Sequence, residues 1–277
     1  MDVRNLSTKI MRWSTIVGIS IAIVVILCVL SVNAKAGTYI IFEDDFETDM
    51  SKWDVGDLNS YSGDDYWGLS DYKSHNGSNS VWCAQVGTQG LIIQQSNSDL
   101  HQYDNDMDAY MMTYLNTISN ISNYDGVRLK FWYWADTEAN YDYMTVWARV
   151  NNDWVQVWNQ TTWSTGGWQH VAFDLFDIPT AIKFNFHSDS SICDYEGVYI
   201  DDVVIMGIDN TPPSLQIISP ADGMVFDNTE VTIQWTASDD ASGIDHYEIK
   251  IDNGNWINVG MSTTYTFSSL EDKNYTV

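Results

Sequence analysis

The chain has 277 residues, with 12 basic and 38 acidic side chains and a formal net charge of −26 at pH 7. This balance excludes nucleic acid as a partner, because few cations are available to neutralise phosphates. Solubility explains most of the acidic residues.

The first 36 residues have the layout of an export signal. Three basic residues precede an apolar run over residues 16–32, and Ala34 and Ala36 put small side chains at the −3 and −1 positions of a cleavage site. The alternative is an uncleaved membrane anchor, because the run is longer than a usual signal core and shorter than a usual spanning helix. Both alternatives predict a secreted or cell-surface protein.

Residues 37–209 carry strand signals throughout, without a long segment of helical period. Short alternating runs are separated by clusters of Asn, Asp, Ser and Gly. This pattern predicts an all-β domain, a concanavalin-like jelly-roll sandwich. The clearest predicted strands are Met107–Leu115, Val127–Ala135, Tyr143–Val150, Trp168–Leu175, Ala181–His187 and Val198–Met206.

A proline-rich linker over residues 210–213 ends this domain, because two prolines block strand pairing. Residues 214–277 then read as an immunoglobulin or fibronectin-III-like sandwich, with Trp235 in its second strand as the expected core tryptophan. The segment is shorter than the roughly 100 residues usual for this fold. We therefore expect this domain to be incomplete at its C-terminus.

Two acidic segments bracket the first domain, one over residues 42–47 and one over residues 197–205. Both are predicted strands, and the first and last strands of an antiparallel sandwich often lie side by side. Crowded carboxylates cost several kcal/mol unless a cation or hydrogen-bond donors lie between them. Calcium, a hard cation with oxygen ligands, is the natural solution.

Covalent modification is expected at two kinds of position. Cys83 and Cys193 remain after signal removal, and export favours a disulfide between them, with two buried thiols as the alternative. Four Asn-X-Ser/Thr triplets predict surface glycosylation. They begin at Asn76, Asn120, Asn159 and Asn274.

A series of short motifs runs through the first domain in the order of one known family. The motifs are Asp45-Phe46-Glu47, Asn76-Gly-Ser-Asn-Ser-Val-Trp82, Val127-Arg-Leu-Lys-Phe-Trp-Tyr-Trp134, Tyr141-Asp-Tyr-Met-Thr-Val146, Trp168-Gln-His-Val-Ala-Phe-Asp-Leu175 and Gly197-Val-Tyr-Ile-Asp-Asp-Val203. Residues 41–206 thereby resemble the MAM-like jelly-roll domains of receptor ectodomains and of secreted peptidases of the immune inhibitor A type. The vertebrate-type set of four cysteines is missing. Residues 209–277 resemble the immunoglobulin-like repeats of prokaryotic surface proteins, through Thr211-Pro-Pro213 and Ile218-Ser-Pro-Ala-Asp-Gly223.

The MAM-like resemblance implies a cation between the first and last strands. Matching positions here are Glu47, the best candidate, followed by Asp45, Asp201 and Asp202. Strand alternation puts Asp201 and Asp202 on opposite faces, so at most one of them faces an ion. The alternative is that these carboxylates cap turns and accept backbone N–H bonds.

Predicted outward positions on three strands interleave tryptophan with basic residues. A concave face of this kind stacks sugar rings on tryptophan and hydrogen-bonds hydroxyls through basic side chains. The alternative is that long loops cover the tryptophans, with Arg and Lys stems packed over them. The candidate ligand-binding residues are Arg128, Lys130, Trp132, Trp134, Trp147, Arg149 and Lys183.

No catalytic signature is present: the sequence has no HExxH, no GxSxG and no Walker-type glycine loop. It therefore predicts a non-enzymatic extracellular binding or adhesion module, stabilised by calcium. The expected partner is an extracellular protein or a glycan, with membrane contact only through residues 16–32. The alternative is an accessory, carbohydrate-binding region of a secreted peptidase or glycosidase whose catalytic domain lies outside this chain.

Overall fold

The computed structural model describes residues 28–34, 39–59, 65–87, 101–221 and 224–271. The chain divides into two compact units. Residues 38–208 form the first unit, and residues 209–277 form the second together with the segment before residue 38. Within the described ranges, no helix is long and apolar enough to cross a membrane.

The first unit is built from two antiparallel sheets. The strands are β2 (Tyr39–Asp44), β3 (Asp54–Asp57), β4 (Asp65–Ser70), β5 (Ser80–Gly87), β6 (Asp108–Tyr114), β7 (Gly126–Asp136), β8 (Tyr143–Val150), β9 (Asp153–Asn159), β10 (Gln169–Leu175), β11 (Ala181–His187) and β12 (Gly197–Ile208). One sheet has the strand order β10-β7-β12-β5-β4, with β2 also paired to β12, and the other has the order β3-β6-β11-β8-β9.

The two sheets form a sandwich because their strands alternate apolar and polar residues. On β7 the odd-numbered residues from 127 to 135 are buried and the even-numbered ones are partly exposed. The ring of Phe131 on β7 lies 5.1 Å from that of Phe184 on β11, so the core joins the two sheets. Trp67 and Trp82 are almost fully buried in the same core. The predicted all-β sandwich is confirmed.

The first and last strands of this unit pair as predicted. Strand β2 runs antiparallel to β12, with Asp44 opposite Val203. The pairing of β12 with β7 is irregular between Asp201 and Val204, and Asp202 has a positive φ of 49°. A bulge at this point re-aims side chains relative to a regular strand. It therefore sets where the two acidic residues of β12 point.

Both cysteines of the first unit are free, which corrects the predicted disulfide. Cys83 on β5 is fully buried, and its Sγ accepts a hydrogen bond at 3.3 Å from the N–H of Val198, at the start of β12. Burial raises the pKa of the Cys83 thiol well above its usual range, which makes it unreactive. Cys193 is only partly buried, in the loop between β11 and β12.

The second unit contains two three-stranded sheets, ordered β1-β15-β16 and β13-β14-β17. Trp235 is 2% exposed and packs with Ile233 and Tyr247, which confirms it as a core tryptophan. The strands are β1 (Cys28–Ala34), β13 (Ser214–Ser219), β14 (Val231–Ser238), β15 (Ile244–Ile251), β16 (Ile257–Gly260) and β17 (Thr264–Phe267).

Residues 28–34 form strand β1, although an export signal over the first 36 residues would lie outside the folded domains. Residues 28–34 pair antiparallel with β15 in the second unit. A short apolar run with β-branched residues suits a strand as well as a signal core, and a free sheet edge accepts such a strand. The predicted basic flank and the rest of the apolar run lie outside the described residues. Export and anchoring stay predictions.

One loop of the first unit, residues 71–79 between β4 and β5, is tied to the end of β2. Glu47 Oε1 accepts hydrogen bonds from the backbone N–H groups of Ser78 and Asn79, both at 2.9 Å. Gly77 has a φ of +67°, and a Cβ there would lie 2.3 Å from Glu47 Oε1. The loop therefore needs glycine both for its backbone conformation and for space.

We predict that Gly77→Ala lowers the free energy of unfolding by about 1–2 kcal/mol more than Gly166→Ala. Gly166 also has a positive φ, of +62°, but nothing lies within 4 Å of its added Cβ. The two variants thus share the backbone strain, and only Gly77→Ala disturbs the Glu47 carboxylate. Urea unfolding of both variants measures the difference. Equal losses would mean that Glu47 does not hold the loop.

Candidate functional site

The acidic residues of β12 are bound to the loop between β4 and β5. Asp201 is 0% exposed, and its Oδ2 accepts hydrogen bonds from the N–H groups of His75 at 2.8 Å and Asn76 at 3.3 Å. Its Oδ1 accepts the N–H of Asp202 at 2.8 Å. The Asp202 carboxylate lies 2.7 Å from His75 Nδ1. Backbone donors thus offset part of the cost of burying the Asp201 carboxylate.

The other predicted cation ligands are placed near the same loop. Asp45 is exposed, and its Oδ1 accepts the Glu47 N–H at 3.3 Å, which is the geometry of a turn cap. Glu47 Oε1 accepts the two loop N–H groups described above. Three of the four predicted ligands, Glu47, Asp201 and Asp202, therefore contact one loop, whereas Asp45 caps the turn that leads to Glu47.

Another group of three carboxylates comes together between β7, β8 and β11. In the described residues, Glu138, Asp142 and Asp189 form the one set of three potential ligands with ligand atoms within 4.8 Å of one another. Asp142 is buried, accepts the Tyr103 hydroxyl and accepts the Asp189 N–H at 2.8 Å. Burial raises the pKa of Asp142 above its usual range. The sequence analysis did not identify this group.

The loop between β4 and β5 also covers the outer face of the six-stranded sheet. The His75 ring stacks on Trp132 with centroids 3.8 Å apart. Lys73 Nζ lies 4.4 Å from the centre of the Trp134 ring and 2.7 Å from the carboxylate of Glu196. These two tryptophans are covered as in the loop-packing alternative, so neither offers an open ring face at this contact.

Of the two basic residues of β7, one forms an ion pair, and the other forms none with a residue that the structure describes. Arg128 forms a two-point contact with Asp174 on β10, at 2.5 and 2.8 Å. Lys130 is half-buried on the same strand face. Four of the seven predicted ligand-binding residues, Arg128, Lys130, Trp132 and Trp134, thus belong to the six-stranded sheet.

The other three predicted ligand-binding residues lie on the outer face of the five-stranded sheet. Lys183 on β11 is directly opposite Trp147 on β8, and Arg149 is opposite Trp154 on β9. Lys183 Nζ lies 4.7 Å from the centre of the Trp154 ring and 5.6 Å from that of Trp147. These four side chains form one cluster on three adjacent strands, the Trp147 cluster.

Two polar atoms at this face are buried without a hydrogen-bond partner. Asn185 is 7% exposed, and its Nδ2 donates to Asp108 Oδ1 at 2.8 Å while its Oδ1 has no partner. Arg149 Nε is also without one. Both atoms are almost inaccessible to solvent, so neither is presented to a ligand on this face.

Two adjoining depressions lie over this face. The smaller has a volume of about 260 Å³, and its lining includes Trp147, Lys183 and Asn185. The larger has a volume of about 390 Å³, and its lining includes Asn159 and the exposed Trp163. Both depressions share Tyr143, Thr145 and Gln156 as lining residues. Together they form a groove, the β8 groove, of the size that accommodates small polar ligands.

Sequence reasoning missed part of this face. Asn185 and Thr145 stood on recognised strands, but their importance depends on which strands pair. Trp154 lies on β9, which the sequence analysis did not predict as a strand. The run Asp153–Asn159 nevertheless carries a strand signal, since it is rich in tryptophan and valine.

The predicted glycosylation sites Asn76, Asn120 and Asn159 are exposed, and Asn274 lies outside the described residues.

Residues 213–277 match the family model of the bacterial Ig domain. This agrees with the two small sheets of the second unit and with the resemblance drawn from its sequence. No curated protein gives a significant match to the chain.

Several solved structures are similar to part of the chain. The K3 cleaved adhesin domain of Lys-gingipain from Porphyromonas gingivalis is 19% identical, with 61% of this chain and 99% of that chain covered and a TM-score of 0.41. The CBM22-1 xylan-binding domain from Paenibacillus barcinonensis is 10% identical, with 64% and 100% covered and a TM-score of 0.39. At these scores the likeness carries no functional conclusion.

We predict that the Asp201 carboxyl titrates in the folded protein with a pKa of about 6, because burial outweighs the three N–H donors. A folded pKa above the unfolded value means that this group favours folding below about pH 4, and that its contribution is lost as the pH rises through 6. Carboxyl-carbon NMR of the whole chain measures the titration, with Asp201→Asn assigning the resonance. A midpoint below pH 4 would show that the donors dominate.

Proposed function

We propose that the first unit is a non-enzymatic carbohydrate-binding module of an exported protein, and that it binds a glycan in the β8 groove. One observation carries this proposal: an open depression on the five-stranded sheet is lined by Trp147 together with polar side chains that include Thr145 and Gln156.

The chemistry of the groove suits a sugar. Sugar hydroxyls can donate to and accept from the amide and hydroxyl groups of the lining, such as those of Gln156 and Asn159. Trp147 and Trp163 line the groove and supply amphipathic rings, on which the apolar faces of sugar rings stack. Trp147 Nε1 donates to Thr145 Oγ1 at 2.9 Å, which fixes the orientation of its ring before a ligand arrives.

A protein partner, the other class predicted from the sequence, fits this face less well. Protein interfaces have an apolar, desolvated centre. The described lining of the larger depression is mostly Asn, Asp, Gln and Thr side chains. A concave, polar lining with a few tryptophans is the arrangement expected for a small hydroxylated ligand.

The biological setting follows the sequence analysis. The bacterial Ig domain after the module and the predicted export signal support a surface or secreted protein. A surface adhesin and an accessory region of a secreted hydrolase both use such a module. The MAM-like assignment of the first unit remains part of this proposal.

We predict that the whole chain is retarded in gels containing at least one of xylan, β-1,4-galactan and polygalacturonate. Trp147→Ala should weaken this binding about 10-fold or more, because a stacking contact worth about 1–2 kcal/mol is lost. Trp132→Ala is the matched control, since Trp132 is also a half-buried, outward tryptophan in the middle of a strand.

Melting midpoints of both variants verify that each remains folded. No retardation by any of the three glycans would contradict the proposal. An equal loss of glycan binding in Trp132→Ala would contradict the assignment of the binding face to the five-stranded sheet.

We further propose that calcium stabilises the first unit. Glu138, Asp142 and Asp189 bring their ligand atoms within 4.8 Å of one another, and acidic side chains also line a depression at the end of β2, so a hard cation would offset the repulsion at either site. Calcium at 100 times its dissociation constant adds about 2.7 kcal/mol to the free energy of unfolding. In a unit of this size that corresponds to a rise of roughly 5–10 °C in the melting midpoint.

Calorimetry of the whole chain in calcium and in excess chelator measures this rise. Glu47→Gln and Asp142→Asn then distinguish the two sites, because only the variant at the occupied site loses the response. An unchanged midpoint for the unsubstituted chain would rule calcium out.

A further inference from the structure

We propose that the β8 groove selects an uncharged glycan of several linked sugar units, which contacts Trp147 and Trp163 at the same time. This inference rests on the proposed function and adds the ligand class to it. Its physical basis is the charge balance of the groove lining and the position of one tryptophan in each depression.

The smaller depression is lined by one carboxylate and one ammonium group. Asp108 on β6 and Lys183 on β11 both belong to its lining. Burial lowers the pKa of Lys183, and the charge of Asp108 opposes this effect, so the two side chains interact. Each charge therefore already has an opposite charge in the same depression, and neither is left over for an ionic ligand.

A hydroxyl group suits this pair better than an ion does. Sugar hydroxyls donate to a carboxylate and accept from an ammonium group, so both side chains can bind them. A ligand carboxylate would lie near Asp108 and a ligand amine near Lys183, so a like charge opposes either ion. A charged group also loses its hydration on entering a partly dry site, at a higher cost than a hydroxyl group.

Asp108 keeps acceptor capacity for such a hydroxyl. It is partly exposed, and its Oδ1 accepts a hydrogen bond from Asn185 Nδ2 at 2.8 Å. An ionised carboxylate has about four acceptor positions on its two oxygens, so this bond leaves room for others. The bond also orients the carboxylate before a ligand arrives, which lowers the entropy cost of binding.

The larger depression has a lining that is mainly neutral. Amide and hydroxyl side chains predominate among its described lining residues, and they donate to and accept from neutral hydroxyls. The one carboxylate of this described lining, Asp142, is 3% exposed and already accepts hydrogen bonds from Tyr103 and from the Asp189 N–H. Its charge opposes an anion, and its burial leaves little surface for pairing with a cation.

The two tryptophans of the groove require a ligand longer than one sugar. Trp147 lines the smaller depression and Trp163 the larger one, and Tyr143 lines both. Tyr143 precedes Trp147 by four residues on β8, a distance of about 14 Å along a strand. A single sugar ring is much shorter than this. Stacking on both indoles therefore needs several linked units.

The test is calorimetric titration of the whole chain with hexamers of β-1,4-linked xylose, glucose and galactose. The charged probes are the glucose and galactose hexamers with a carboxylate or an amine at C6. At pH 8 these groups are charged and histidine is ordinarily neutral, which matters because His187 also lines the smaller depression. We expect the best neutral hexamer to bind at least 10-fold more tightly than any charged hexamer.

Two substitutions test the charge balance. Asp108→Asn leaves Lys183 without its counter-charge, so the carboxylate hexamer should gain at least 5-fold in affinity relative to the neutral hexamer. Lys183→Gln should shift the preference toward the amine hexamer by a similar factor. A purely structural role would change all affinities alike and leave these ratios in place. Lys130→Gln, on the six-stranded sheet, is the control and should leave them unchanged.

The length of the ligand is tested with the disaccharide of the best neutral hexamer. It should bind at least 10-fold more weakly than the hexamer, because it reaches one tryptophan only. Trp163→Ala should weaken the hexamer about 10-fold. Phe176→Ala is its control, since Phe176 is an exposed aromatic residue outside both described linings, and it should leave the affinity unchanged.

Three results would overturn the inference: a charged hexamer that binds within 10-fold of the best neutral one, affinity ratios that neither charge substitution changes, or a disaccharide that binds as tightly as its hexamer. Trp147-dependent binding of any glycan alongside one of these results would leave the proposed function standing. Without binding of any glycan, both proposals fail.

Discussion

The buried carboxylate of Asp201 is the interaction on which the arrangement of the first unit depends. It lies in the bulge of β12 and accepts the N–H groups of His75 and Asn76, while Glu47 accepts the next two N–H groups of the same loop. Losing these acceptors would cost about 0.5–1.5 kcal/mol for each hydrogen bond, because the N–H groups of the loop are partly exposed to water. The acidic ends of the domain therefore fix a loop across one sheet, whether or not a cation also binds there.

That fixed loop gives the two outer faces different roles. On the six-stranded sheet, His75 and Lys73 lie against Trp132 and Trp134, so aromatic surface there contributes to packing. On the five-stranded sheet, Trp147 lines an open groove together with polar side chains, and Lys183 is the cation near its ring. Two faces with the same residue types thus differ because the loop between β4 and β5 covers the six-stranded sheet.

The alternation of apolar and polar residues along the strands predicted most of the fold. Residues 143–150 and 181–187 were predicted with their observed bounds, because each run separates a buried face from a polar one. The predicted disulfide was wrong. The number of cysteines in a sequence does not show that Cys83 Sγ is buried in the core, where it accepts a hydrogen bond from the Val198 N–H. Trp147, Arg149 and Lys183 were predicted as ligand-binding residues, but mixed with residues of the other sheet. Strand register, which brings Asn185 between β6 and β8, depends on long-range pairing and could not be read from local pattern.

The central claim is that the ligand face is the outer surface of the five-stranded sheet. Indole N–H resonances in a proton–nitrogen NMR titration with a binding glycan test this most directly, because each tryptophan reports its own surroundings. The account predicts that the resonances of Trp147 and Trp154 shift on saturation, while those of Trp132 and Trp134 stay in place. Shifts confined to Trp132 and Trp134 would contradict it.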